Sequence, residues 1–291
     1  MAAGTSFLER RAIGAITLGR YTSFLNMFLH FCKQHNLHTD EPEETDNAMV
    51  RFFNEKFMAG APPTHGEYVL ASWMHFRPKF GRMGSCRLPR AWRALRGWKK
   101  LSPHRSRRPE AIPIWCAVAW RLMARRQRSM AVFVLTCLSS YCRPGELLSV
   151  RRCDWIAPVR RVLTSWAVLL FPEEGNRSSK TGQFNDSISM DSNWLTFLNT
   201  DYEQMHDPRS TACCWPFTYQ DLVTEWKAVM VELGLEKLKL VPYQLRHSGP
   251  SNDLARGHRS LEEAKKRGRW SQSKSMQRYE RRGDWGKTTR P

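Results

Sequence analysis

Apolar residues recur at three- and four-residue steps through the first hundred positions, the spacing of helices that bury one face. Leu18, Tyr21, Leu25, Phe28, Leu29 and Cys32 form one such stripe, with Thr17 ahead of it as the expected N-cap. A second helix is predicted from about Asp46 to Phe57, burying Met49, Phe53 and Phe57. Thr64-x-x-Glu67 has the form of a capping box that opens a third, with Tyr68, Trp73 and Phe76 as its apolar residues. Pro89 suits the first turn of a fourth, on which Leu88, Trp92, Leu95 and Trp98 make an inward stripe. The segment Ser102–Pro109 then carries two prolines and no apolar residue, and reads as a linker.

Beyond the linker the pattern mixes periods. Ile112–Arg126 and Ser129–Tyr141 are predicted helices, the second apolar on most faces and therefore central. Trp166–Phe171 is strand-like, Pro172–Asn185 is rich in turn residues, and Ser187–Met190 completes a small antiparallel hairpin. Helices resume at Tyr219–Leu233, stopped by Gly234, and at Pro242–Arg256, stopped by Gly257. Two more follow: Ser260–Arg267, opened by the capping box Ser260-x-x-Glu263, and Ser271–Arg281. The expected fold is mainly α with a small antiparallel β-sheet, divided into a helical domain over 1–104 and a mixed α/β domain over 110–291.

Composition narrows the function. The 291 residues are 41% hydrophobic, enough for two modest cores, and twelve Trp with fourteen Phe argue against disorder. Forty-six Lys and Arg face 27 Asp and Glu, a formal charge of +19 that points to a polyanionic partner. A membrane is not expected to be that partner: basic residues are spread through both halves, and no apolar run approaches the ~20 residues of a spanning helix. The start, Met1–Arg11, lacks the apolar core of a secretory signal, so an intracellular protein is expected; its basic, acid-poor composition leaves organellar transit open. The eight cysteines include no C-x-x-C pair and read as buried reduced thiols, and no structural zinc or other metal is expected.

The positive charge is most concentrated between Glu67 and Glu110, where 42 residues hold twelve Lys and Arg and no acid. Arg87, Arg90, Arg93, Arg96 and Lys99 lie on the fourth helix, and their three-residue spacing winds them around it by about 60° per step. One charged helix is ordinarily just solvated. A stretch this long without a compensating acid predicts contact with a phosphate backbone, along which Arg105, Arg107 and Arg108 of the linker would also track.

Four segments of the second half carry candidate chemistry: Ser-Ser-Tyr-Cys-Arg143-Pro-Gly-Glu-Leu-Leu, Ser-Ser-Lys180-Thr-Gly, Pro-Tyr243-Gln-Leu-Arg246-His-Ser, and Gly-Arg-Trp270 followed nine residues on by Tyr279. Pro144 and Glu146 suit the first turn of a helix, which places Arg143 at its positive end. Pro242 does the same for Tyr243 and Arg246, which share a face at i,i+3. Each segment alone is as well explained by structure: an Arg143–Glu146 pair at a helix end, a solvated lysine, packing for Tyr279 and Trp270. In order, however, they supply two phosphate clamps, a mobile proton donor, an aromatic donor and a phenol nucleophile.

That ordered set resembles the tyrosine recombinase, or phage integrase, family. The family's Arg-x-x-Glu-Leu box is similar to Arg143–Leu147, its hairpin lysine to Lys180, its His-x-Leu-Arg-His box to Tyr243–His247, and its Gly-x-His/Trp element to Gly268–Trp270, with the nucleophile falling on Tyr279. Pro109–Glu280 carries the match. Thr17–Pro103 is similar only in plan, to the family's helical core-binding domain. The resemblance implies a catalytic domain over 110–291, double-stranded DNA as partner, homotetramers on paired sites, and cleavage and rejoining through a 3′-phosphotyrosyl intermediate. No metal, nucleotide or other cofactor is implied, and the compartment would be the nucleus in a eukaryote or otherwise the cytoplasm and nucleoid. Tyr243 departs from the pattern, since a His or Lys is usual there and a phenol is a poor base at neutral pH. A type IB topoisomerase resembles the same core, and an inactive, domesticated integrase that only holds DNA would keep most of these residues.

Overall fold

Aromatic residues at helical spacing build the first of two units into which the computed structural model of the chain divides, residues 1–106 and 107–291. The structure describes residues 7–103, 109–172 and 185–271.

The first unit consists of α1 (Phe7–Arg11), α2 (Ala15–Gln34), α3 (Pro42–Met58), α4 (Thr64–Phe76) and α5 (Pro89–Leu101). Its core is an edge-on packing of rings: Phe28 meets Phe52 and Trp73, each at 5.6 Å between centroids and more than 80° between planes. Such pairs contribute beyond their buried area because the positive ring edge faces the negative ring face. Helix starts differ from the sequence expectation. α2 begins at Ala15, so Thr17 lies inside it, and Thr64 falls inside α4 behind Pro63. Pro42 and a capping box between Glu41 and Glu44 start α3 four residues before Asp46. Inward faces shift accordingly: Phe31 and Phe52 are buried, Leu29 is exposed, and Phe57, Tyr68 and Phe76 are only half-buried. Trp92 is 45% exposed because the buried stripe of α5 is Ala91, Leu95 and Trp98, about a quarter-turn away.

Asp46 is freed from α3's start to do something else. Buried, it accepts hydrogen bonds from the backbone N–H groups of Arg90 (2.9 Å) and Ala91 (2.7 Å). No residue flanking α5 caps it, since Leu88 precedes Pro89, so the cap comes from another helix. Replacing Asp46 with alanine strands two buried donors and should destabilise this unit by about 2 kcal/mol. Denaturant unfolding followed by tryptophan fluorescence measures it; an unchanged midpoint would mean that solvent caps α5 equally well.

The second unit contains α6 (Ile112–Ala124), α7 (Arg128–Ser140), α8 (Pro144–Leu148), β1 (Trp155–Ile156), β2 (Ala167–Leu170), β3 (Asp186–Ser189), α9 (Asn199–Met205), α10 (Tyr219–Glu232), α11 (Leu245–Arg256) and α12 (Leu261–Gly268). As its composition requires, α7 is buried throughout Met130–Ser140 and is the axis of the core. The sheet has three antiparallel strands in the order β1-β2-β3, Val168 pairing with Trp155 on one side and Ile188 on the other. The sequence pattern shows only β2 and β3, because a two-residue strand carries no period. A 3₁₀ turn over Asn193–Leu198 and α9 were also not foreseen. Gly234 and Gly257 end their helices with positive φ, and Ser260 caps α12 as expected. Cys213 is exposed and Cys86, Cys116 and Cys153 are half-buried, so only Cys32, Cys137, Cys142 and Cys214 fit the expectation of buried thiols. Among the described residues no helix is long and apolar enough to cross a membrane.

Two features of this unit prepare the site. α11 crosses α7 so closely that a Cβ on Gly249 would lie 2.1 Å from the Leu138 carbonyl oxygen, which explains the glycine inside this helix. Beside α12 runs a polar network that is partly open to solvent. Arg267 pairs with Asp191 (2.9 Å) and donates to the Ser139 carbonyl (2.7 Å), Arg259 pairs with Asp191 (2.7 Å) and Asp253 (3.3 Å), and Tyr141 donates to Asp253. Burial and the Asp253 carboxylate both push the Tyr141 phenol upward, so it stays a donor.

Candidate active site

Arg143 precedes α8 and takes the N-cap position, with Pro144 in the first turn and Glu146 at its third residue. α8 is only five residues long, so the positive end expected there adds little, and the charge of the site comes from side chains. The Arg143 guanidinium donates to Oε1 of Glu146, while its backbone N–H donates to Oε2 at 2.9 Å. Burial opposes the Arg143 charge, but Glu146 and a hydrogen bond with Tyr243 outweigh it, and the arginine is held more firmly protonated than usual.

Pro242–Gln244 form a 3₁₀ turn that runs straight into α11, where Arg246 is the second residue. Arg246 is 1% exposed. Its Nη1 donates to the Tyr141 carbonyl at 2.5 Å and its Nη2 to the Gly268 carbonyl at 2.7 Å, with Nη1 3.9 Å from Glu146. The Tyr141 carbonyl is turned toward it because Tyr141 ends α7 in the left-handed conformation, φ 57°. Burial and the neighbouring Arg143 and Arg269 charges lower the Arg246 pKa against the pull of Glu146. A guanidinium stays charged even so. Three guanidiniums, Arg143, Arg246 and Arg269, against Glu146 and Asp186 leave the site with more positive than negative charge. The Tyr243 and His247 rings meet at 5.3 Å, so His247 packs against the phenol.

Trp270 reaches Arg246 through the end of α12. Arg269 and Trp270 N–H groups bond to the carbonyls of Lys266 and Lys265, the two bonds of a Schellman turn. Arg269 holds the left-handed position of that turn, φ 55°, which glycine normally fills and which costs an L-residue roughly 1–2 kcal/mol. The chain therefore doubles back, and the indole folds over Gly268 so tightly that a Cβ there would sit 1.8 Å from it. The Arg246 guanidinium lies 4.8 Å from the centroid of the Trp270 ring, within cation–π range.

Four predicted site residues, Arg143, Tyr243, Arg246 and Trp270, are thus brought together around Glu146. Two residues without an assigned role join them. Glu146 is the shared acceptor: burial favours its neutral acid, but Arg269 and Arg143 hold its pKa below the usual carboxylate range. Arg269, the unassigned middle residue of Gly-Arg-Trp, donates to Oε2 of Glu146 from a side chain 10% exposed. No sequence signal singles it out, because an arginine does not announce the left-handed backbone it adopts past the end of α12. Lys180 and Tyr279 lie outside the described residues, as do Arg105, Arg107 and Arg108.

Of the five basic residues expected on the fourth helix, Arg87 lies before α5 and the other four lie on it, and their surroundings differ. Arg87 donates to the carbonyls of Gly81 and Arg82, Arg90 to the Asn47 side chain, and Lys99 pairs with Glu67 at 2.5 Å. Arg93 and Arg96 are exposed and form no ion pair among the described residues. Lys99 is therefore balanced by the very glutamate that bounds the acid-free stretch. Among the described residues no cluster of His, Cys, Asp and Glu suits a metal.

No family model matches the chain, and no curated protein is significantly similar to it. Solved structures do match. The site-specific recombinase XerH, in a post-cleavage complex with its palindromic difH substrate, superposes with a TM-score of 0.61 over 96% of this chain and 81% of its own, at 11% identity. The recombinase XerA matches over 98% of this chain and 96% of its own at 12% identity, with a TM-score of 0.44. At such identity the XerH likeness is one of fold, and the fold of this chain is that of the tyrosine recombinases.

Proposed function

We propose that the chain cleaves and rejoins DNA strands as a site-specific tyrosine recombinase, its first unit clamping the duplex and its second doing the chemistry. One observation carries this reading: in a recombinase fold, guanidiniums from three separate segments converge on a single carboxylate, with an indole against one of them, leaving positive charge that a phosphate would balance. In the reaction Tyr279 attacks the scissile phosphate, the P–O5′ bond breaks, and a 3′-phosphotyrosyl bond forms. Lys180 supplies the proton to the departing 5′ oxygen. Arg143 and Arg246 stabilise the charge that builds on the phosphate oxygens, with Trp270 and Tyr243 as further donors. A 5′-hydroxyl of a partner strand reverses the step, so no external energy source is needed, and paired sites held by a tetramer supply that strand.

A second reading, a DNA-holding protein without strand cleavage, is favoured by the burial of Arg246 and by both its terminal nitrogens being held by backbone carbonyls. Covalent attachment to DNA separates the two readings. Strand joining between two duplexes separates a recombinase from a topoisomerase.

Phosphate contact by the first unit has its own test. Arg93 and Arg96 on α5 are exposed and form no ion pair among the described residues, so neutralising both should weaken binding to all sequences alike. The slope of log affinity against log salt should flatten by nearly two units, about 0.9 per phosphate contact. An unchanged slope and affinity would make α5 an ordinary solvated helix.

A further inference from the structure

Arg269 is set apart from the other guanidiniums of the site by where its backbone puts it. It occupies a left-handed position that favours glycine, yet sends its side chain into a buried polar cluster. Nη2 donates to Oε2 of Glu146; Nε lies 3.8 Å from Asp186, an ion pair without a hydrogen bond; and Nε and Nη1 have no hydrogen-bond partner among the described residues. Glu146 is consequently gripped from two sides, by Arg143 at Oε1 and by Arg269 at Oε2, with Arg246 at 3.9 Å.

This matters for Arg143. At 37% side-chain exposure it is the most accessible of the three guanidiniums, and its contacts are Glu146 and Tyr243. Whatever fixes Glu146 therefore fixes Arg143. The same contact also governs charge. A carboxylate facing only Arg143 and Arg246 would draw both away from an incoming anion. With Arg269 on Oε2, three guanidiniums face Glu146 and the more distant Asp186, and the positive charge left over suits a phosphodiester and still more its doubly charged transition state.

We propose that Arg269 is a positioning residue of this site: bound to Oε2 of Glu146, it fixes that carboxylate under Arg143 and leaves the charge of Arg143 and Arg246 for the scissile phosphate. The proposal rests on the strand-cleavage reading above.

The variant that tests it is Arg269→Gly, which removes the guanidinium while giving the turn the residue it favours, so the fold is kept. Single-turnover cleavage of a nicked suicide duplex should fall about 10–100-fold, the cost of a displaced clamp, with DNA affinity unchanged. The decisive comparison is a double-mutant cycle with Glu146→Gln. If Arg269 acts through Glu146, adding Arg269→Gly to Glu146→Gln should cost less than about threefold. Losses that multiply independently would overturn the proposal, as would full activity of Arg269→Gly.

A second measurement needs no DNA. In protein labelled with ¹³C-carboxyl glutamate, the Glu146 resonance, assigned by its loss in Glu146→Gln, should titrate at higher pH in Arg269→Gly. The groups facing it there are Arg143, Arg246 and the thiols of Cys137 and Cys142. An unmoved midpoint would also overturn the proposal. Unaltered enzyme that forms no adduct on any duplex would instead defeat the strand-cleavage reading, and the proposal with it.

Discussion

Replacing Tyr279 with phenylalanine is expected to abolish covalent attachment to DNA and leave DNA affinity unchanged. Of the chain's seven tyrosines, only this one stands at the nucleophile's spacing, nine residues past Trp270. Phenylalanine removes the attacking oxygen and nothing else, so the transesterification has no nucleophile while every phosphate contact remains. Denaturing gels of protein incubated with nicked duplexes measure the adduct, and filter binding measures affinity. Adduct at normal yield from Tyr279→Phe would remove this residue from the mechanism.

The next largest effect should come from the clamps, and the structure separates the two arginines. Either Arg143→Ala or Arg246→Ala should slow cleavage by roughly 10²–10³-fold, the size expected for one transition-state donor. Their stability costs should differ. Arg246→Ala leaves the buried carbonyls of Tyr141 and Gly268 without a donor and removes the partner of the Trp270 ring, so about 2–4 kcal/mol of folding stability should go with it. Arg143 is more exposed, and Glu146 keeps Arg269 when it is lost, so Arg143→Ala should cost little stability. Lysine should rescue neither, because a point charge cannot reproduce a guanidinium fork. Full cleavage by Arg143→Lys would show that this position is not a phosphate clamp.

Helices whose signal is local were legible from the sequence: α5 from Pro89, α10 from its stop at Gly234, α12 from Ser260 and Glu263. So was the centrality of α7, because its apolar residues leave no face for solvent. Features that depend on distant residues were not. Asp46 reads as a helix start because carboxylates favour such places, yet it caps a helix 44 residues further on. Trp92 reads as core from its size and spacing, but a quarter-turn error in phase puts its ring in solvent.

The site divides in the same way. Arg143, Tyr243, Arg246 and Trp270 could be named because each sits in a short segment with its own pattern, and the fold brings these segments to one carboxylate. Arg269 lay within one of those segments without attracting notice. Its contribution depends on a left-handed backbone, and no property of arginine signals that conformation. The local partners of the charges were equally hidden: composition does not show that folding sets Lys99 beside Glu67 and Arg90 beside Asn47.

The most direct test of strand cleavage is capture of the unaltered protein on nicked suicide duplexes drawn from a random-sequence pool, under denaturing conditions, with peptide mapping of the adduct and sequencing of its DNA. The account predicts a covalent complex in which the tyrosine of the Tyr279 peptide carries a DNA 3′-phosphate and the other product ends in a free 5′-hydroxyl. Reversible DNA binding with no covalent complex on any duplex, or attachment through a different residue, would contradict it.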